Sequence, residues 1–155
     1  MAAVKPIPDG YPQVIPSLAV DGAAAAIDFY CSVLGATVRM RMDEPGGKVG
    51  HAELQLGDSV IMLADEFPDI GHLGPKSVGG TPVTLNVYVE GVDAVFAKAL
   101  AAGATSLRPV ENQFYGDRSG QFQDPFGHRW NVATHVEDIS EEEMATRAEA
   151  AMSEQ

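Results

Sequence analysis

Apolar and polar residues alternate strictly along Ala52-Glu53-Leu54-Gln55-Leu56 and again along Leu85-Asn86-Val87-Tyr88-Val89. That period of two belongs to strands with one buried face. Elsewhere the period lengthens: Ile27, Tyr30, Cys31 and Leu34 follow the i, i+3, i+4, i+7 spacing of a buried helical stripe. The spacing predicts a helix over 22–33, capped by Asp21 and ended by a left-handed Gly35. Strands are expected at 13–20, then near 37–42, 48–56 and 59–64. A second series follows: strand 82–89, helix 92–102, and strands 105–110, 116–123 and 128–135.

The two series are copies. Val20-Asp21-Gly22 matches Val89-Glu90-Gly91, and Gly35-Ala36-Thr37 matches Gly103-Ala104-Thr105. A repeat near half the chain length means two supersecondary units of one type. The pattern is a tandem pair of βαβββ units, about 13–64 and 82–135, of the α+β class, each giving part of a cupped mixed sheet. Residues 1–12 form a proline-rich arm, and 65–80 a long polar linker of the kind that joins units or covers sites. A C-terminal helix is expected over about 140–152. Ser140 with Glu143 makes a capping box there, and Ile139 with Met144 a hydrophobic staple. By length, 1–155 reads as a single domain that buries roughly 68–70% of its unfolded surface.

Charge narrows the partners. With 22 acidic and 10 basic residues the net charge is −12. Phosphate backbones and anionic membranes are repelled, so no nucleic acid and no membrane is expected, and a cationic ligand is favoured. No apolar run approaches the ~20 residues needed to span a bilayer. The start of the chain lacks a signal-peptide core, and a cytoplasmic protein is the expectation. The lone cysteine, Cys31, sits on the helical stripe and reads as a packed thiol.

The duplication, the Gly-Ala-Thr after each helix, and Tyr115-Gly116-Asp117-Arg118-Ser119-Gly120 followed by Asp124-Pro125-Phe126-Gly127-His128 and Trp130 together resemble the vicinal oxygen chelate superfamily. That superfamily includes glyoxalase I, bleomycin- and fosfomycin-resistance proteins and extradiol dioxygenases, and the chain is most similar to its PhnB-like branch. The resemblance covers roughly residues 10–140 and implies the glyoxalase/bleomycin-resistance fold. It also implies where a divalent ion would sit, on the first and last strand of each unit. Those positions fall on Ile15, Met62, Thr84 and Asn131. A register shift of two exchanges Ile15 for Gln13 or Ser17, and Thr84 for Asn86. No imidazole or carboxylate appears at any of them, whereas zinc, iron, manganese and nickel sites are built from such groups. No cofactor and no metal is therefore expected.

Alternation places Thr84, Asn86 and Tyr88 on one strand face, with His51, Glu53 and Gln55 sharing the corresponding face of another. Asn131 and Met62 line the same expected cavity. His51 and Glu53, two apart and ~6–7 Å along a strand, are the candidate catalytic pair, with His51 as a base near neutral pH. They serve equally well as a rim pair. Phe114 and Tyr115 are placed to roof the cavity. Arg118 either anchors an anionic group or pairs internally with Asp117 or Glu53. Trp130 reads as core, His135 as a structural hydrogen-bonder, and His72 and His128 as surface residues.

Two functions follow from the resemblance. The first is a homodimer that sequesters a small organic molecule, aromatic or cationic, without a metal. The alternative is a lyase, isomerase or oxygenase that uses the His51 and Glu53 pair or an unrecognised divalent ion. An accessory protein whose tail helix contacts another protein is a third.

Overall fold

A computed structural model describes residues 3–154. The chain divides into two compact units, Met1–Gly80 and Thr81–Gln155. The first contains β1 (Ser17–Val20), α1 (Ala23–Leu34), β2 (Thr37–Asp43), β3 (Val49–Leu56), β4 (Ser59–Asp65) and the four-residue α2 (Pro75–Val78). The second contains β5 (Thr84–Tyr88), α3 (Val92–Ala101), β6 (Thr105–Asn112), β7 (Asp117–Gln123), β8 (Arg129–His135) and α4 (Glu141–Ser153). The expected βαβββ repeat is present in both.

Each unit holds a four-stranded mixed sheet, ordered β1-β4-β3-β2 in one and β5-β8-β7-β6 in the other. The first strand runs parallel to the last, and the remaining neighbours are antiparallel. α1 packs against every strand of its sheet, and α3 against β6, β7 and β8. Leu18, Val20, Leu54 and Leu63 are buried on the α1 side of the first sheet, and Phe122, Trp130 and Val132 on the α3 side of the second. At Gly120 the backbone comes so close to α3 that an added Cβ would lie 3.0 Å from Phe96 Cε2. Among the described residues no helix is long and apolar enough to cross a membrane.

β1 is shorter than the pattern predicts, beginning at Ser17 and not at 13. Pro12 and Pro16 have no N–H to give a ladder, although the Pro16 carbonyl still accepts from Met62 N at 2.9 Å.

The expected cap of α1 also differs. Gly22 takes the N-cap place at φ 97°, and the capping oxygen comes from Asp65 instead of Asp21. Asp65 Oδ1 accepts from Gly22 N at 3.0 Å and Ala23 N at 2.9 Å, while Oδ2 accepts from Val49 N at 2.8 Å. Burial alone would raise the Asp65 pKa, but the three backbone donors outweigh it and hold the carboxyl below its usual range. The second unit meets the same need with a hydroxyl: Thr134 Oγ1 accepts from Val92 N at 3.0 Å and donates to the Val89 carbonyl at 2.6 Å.

The connection after β4 is ordered. Glu66 Oε1 accepts from Gly74 N at 2.7 Å and Ser77 Oγ at 2.6 Å. A 3-10 turn at Pro68–Ile70 and α2 fill its length. His72, expected at the surface, is half-buried there, and its Nε2 has no hydrogen-bond partner. In the C-terminal helix Ser140 Oγ accepts from Glu143 N at 3.1 Å. The reciprocal half of the expected capping box is replaced, because the Glu143 carboxylate accepts from Arg147 Nε at 3.0 Å. Arg147 also grips Glu137 through both terminal nitrogens, at 2.9 and 2.8 Å, and so ties α4 to the end of β8.

Candidate functional site

Strand register decides which side chains share the sheet face opposite the helix. In the first unit Glu53 lies across from Met62 and from Met40, while His51 lies across from Met42. Ser17, on β1, is the residue abreast of Met62. In the second unit Asn86 is abreast of Asn131, Tyr88 of Ala133, and Gln121 of Asn131 from the other side. Both helix-free faces thus mix amides, hydroxyls and a few charged groups, with thioethers in the first unit.

The superfamily resemblance implies metal ligands at Ile15, Met62, Thr84 and Asn131, with Ser17 and Asn86 as the shifted alternatives on β1 and β5. Ile15 lies outside β1, and Thr84 is abreast of Arg129. Ser17 and Asn86 are the residues abreast of Met62 and Asn131. A hydroxyl, a thioether and two amides are a poor donor set for a divalent ion that prefers imidazole, thiolate and carboxylate. Among the described residues no three His, Cys, Asp or Glu side chains cluster in a way that would hold a metal. The residues do not fit the group.

His51 and Glu53 do come together. His51 Nε2 stands 2.9 Å from Glu53 Oε2, and the Tyr11 hydroxyl donates to Glu53 Oε1 at 2.6 Å. Glu53 is buried. The hydrogen bonds from Tyr11 and then His51 hold its carboxyl below the ordinary value against the opposing pull of burial. An ionised carboxylate only accepts, so Nε2 carries the proton and a neutral His51 presents its lone pair on Nδ1. With both oxygens engaged, Glu53 orients the imidazole and takes no proton itself. The same bond, chiefly, raises the Tyr11 pKa.

Tyr11 belongs to the proline-rich arm and carries no signal in the periodicity. Arg39, the bulge residue of β2, places its guanidinium 4.4 Å from the Tyr11 ring centre and donates to the Gly10 carbonyl at 2.9 Å. Together with Gln55 they line a shallow depression of about 600 Å³. Gln55 itself spends its amide nitrogen on the Gly57 carbonyl, at 2.7 Å.

In the second unit the outcome for the expected residues varies. Thr84, Asn86 and Tyr88 are exposed on one face and Leu85 and Val87 half-buried on the other, as alternation predicts. The Tyr88 hydroxyl donates to Asp117 Oδ2 at 2.8 Å, and His135 Nδ1 stands 2.8 Å from Asp117 Oδ1. Arg118 pairs with neither Asp117 nor Glu53. Its Nε and Nη2 each lie 2.8 Å from the Asp93 carboxylate on α3. Phe114 and Tyr115 pack edge to face at 5.2 Å in the β6–β7 turn. Trp130 is core, with its indole N–H on Asp124 at 2.9 Å. Cys31 is half-buried, and burial raises its thiol pKa, so it is no thiolate nucleophile.

A second residue, Arg108, likewise escaped the sequence pattern. Arg108 lies abreast of Gln121 between two register shifts of β6. Its Nη2 donates to Ser119 Oγ at 3.2 Å and to Asn131 Oδ1 at 3.0 Å.

Comparison with known proteins adds a consistent picture. The family model described as the Glyoxalase/Bleomycin resistance protein/Dioxygenase superfamily matches residues 13–132. An uncharacterised protein of Mycobacterium bovis is 42% identical over 147 residues, spanning 93% of this chain and 94% of its own. Its counterpart in Mycobacterium tuberculosis shows the same identity over 84% of its length. Among solved structures, TioX from Micromonospora superposes with a TM-score of 0.62 at 27% identity, covering 81% of this chain and 99% of that one. A PhnB protein from Bacillus cereus shares the fold at a TM-score of 0.64 and 20% identity, over 79% and 99%.

Proposed function

This chain belongs to the Glyoxalase/Bleomycin resistance protein/Dioxygenase superfamily, and we propose that it is a member that binds a small aromatic or amphipathic organic molecule without the metal many relatives use. The binding surface in this reading is the helix-free sheet face. The observation that carries it is the donor set at the strand positions where an ion would be held: Ser17 and Met62 in one unit, Asn86 and Asn131 in the other. Neutral hydrogen-bonders beside thioethers and methyl groups are the wall of an organic-ligand site. Met40 and Met42, on the face of Glu53 and His51 and both exposed, add polarizable surface that adapts to ligand shape.

A homodimer accompanies this reading. β2 is an edge strand whose Val38, Met40 and Met42 are 48%, 43% and 55% exposed. An exposed apolar edge invites cover by a second copy. Molar mass measured by light scattering tests it.

The enzymatic alternative, a lyase, isomerase or oxygenase, draws on the His51 and Glu53 geometry. With Nε2 turned to Glu53, Nδ1 is free to take a proton from a substrate carbon or hydroxyl. His51→Gln separates the two. Sequestration survives it with weakened affinity, whereas turnover of any substrate found by screening is abolished.

The test of the main reading is a thermal-shift screen of aromatic compounds on protein treated with chelator. Ligand at ~100 times its Kd adds roughly 2.7 kcal/mol of stability. Stabilisation that persists in chelator supports the reading; stabilisation that appears only after a divalent ion is restored contradicts it.

A further inference from the structure

Arg108, on the second unit's helix-free face, is half-buried and has only neutral hydrogen-bond partners. Three other arginines are matched by carboxylates: Arg41 with Asp43, Arg118 with Asp93, Arg147 with Glu137 and Glu143. No carboxylate lies within ion-pair distance of Arg108 among the described residues. Its Nε is fully buried and has no acceptor.

A guanidinium is permanently charged and carries five N–H donors in a planar fork. Partial burial of that charge without a counter-ion is costly, and an orphaned buried donor calls for an explanation. A chain with 22 acidic residues has no shortage of carboxylates, yet the fold brings fully buried Ser119 and the Asn131 amide to this group. Those two fix the guanidinium without neutralising it. Gln121, abreast of both Arg108 and Asn131, adds a further amide to the same row.

We propose that Arg108 is the anchor for the carboxylate of a small organic monoanion bound on this face. The inference rests on the reading of the helix-free face as a ligand surface and names the ligand's polar end. With Nη2 engaged by Ser119 and Asn131 and Nε buried, the Nη1 N–H groups of Arg108 are the donors left for a carboxylate, a charge-assisted contact. One cation held by neutral groups balances one negative charge. A phosphate dianion would be left half-compensated and would be repelled more strongly by the net charge of −12. Repulsion of a monoanion by the distant acidic surface is screened beyond about 10 Å at 0.1 M salt, so the contact with Arg108 dominates. Apolar area for the ligand's body is present on the same face, where the 68% exposed Tyr88 stands abreast of Ala133.

Naphthoate, its neutral amide and the corresponding naphthylmethylammonium ion, titrated calorimetrically into the full chain, test the proposal. The expected order is naphthoate over amide over ammonium. Arg108→Gln should weaken naphthoate roughly 10- to 100-fold while leaving the amide unchanged. Arg108→Lys should restore part of the loss, because charge returns without the fork. Circular dichroism and the unfolding midpoint check that each variant is folded. In the unaltered protein, the Arg108 Nε–H resonance should move on addition of naphthoate, which gives a readout free of any substitution. Equal or tighter binding of the amide overturns the anchor and spares the wider reading. Unchanged naphthoate affinity in Arg108→Gln does the same. No binding of any of the three at millimolar concentration overturns both.

Discussion

Tyr11 donates its hydroxyl to Glu53 at 2.6 Å across a separation of 42 residues, and in doing so ties the N-terminal arm to the centre of the first sheet. The bond has a consequence for pH. Glu53 has a lowered pKa in the folded state, first through Tyr11 and then through His51. A depressed carboxyl contributes stability that is fully present above its unfolded pKa, about 4.3, and is lost as pH falls through the folded value. Tyr11→Phe should therefore be less stable than the parent near neutral pH, and the gap should close in acid. Urea unfolding at a series of pH values checks it; a gap that does not change with pH would show that the hydroxyl does not act through the carboxylate.

His135 carries the opposite sign. Its Nδ1 faces Asp117 at 2.8 Å and its Nε2 faces Asp138 at 2.7 Å. The hydrogen bond to Asp117, then that to Asp138, raises its pKa. Stability from a raised histidine is fully present below its unfolded pKa of about 6.5 and is lost as pH rises through the folded value. Between pH 6 and 8 the parent should lose stability relative to His135→Asn, whose amide does not titrate. Parallel pH profiles for the two proteins would contradict this.

The two networks were legible in the sequence to different degrees. Alternation along β3 puts His51 beside Glu53 without any tertiary information, and alternation along β8 gives Trp130 its buried place. The Tyr11 contact carries no such signal, because an irregular proline-rich arm has no periodicity to read. Arg108 was hidden for a related reason: the register shifts on both sides of it in β6 break the alternation that would assign its face. The partner of Arg118 comes from α3, which strand patterning does not relate to β7. Alternation put Asn86 on its face directly, whereas Ser17 was reachable only as a shifted alternative, since the register of a parallel pair is set by the whole sheet.

Asp65 shows the same limit and yields a test. Local rules put the cap of α1 on its preceding residue, Asp21, whereas a carboxylate 43 residues away makes the bonds. Asp65→Ala leaves Gly22, Ala23 and Val49 N–H groups without their acceptor. It should cost about 1–3 kcal/mol. Asp21→Ala should stay within about 0.5 kcal/mol of the parent. Chemical denaturation of the two variants distinguishes them, and a larger loss at Asp21 would reverse the assignment.

The proposal turns on neutral side chains at the strand positions where the superfamily resemblance implies an ion. Elemental analysis of the protein purified without chelator tests it most directly. The account predicts well under one zinc, nickel, manganese or iron per chain, with ligand-induced stabilisation unchanged by metal removal. A stoichiometric ion whose removal abolishes that stabilisation would contradict it.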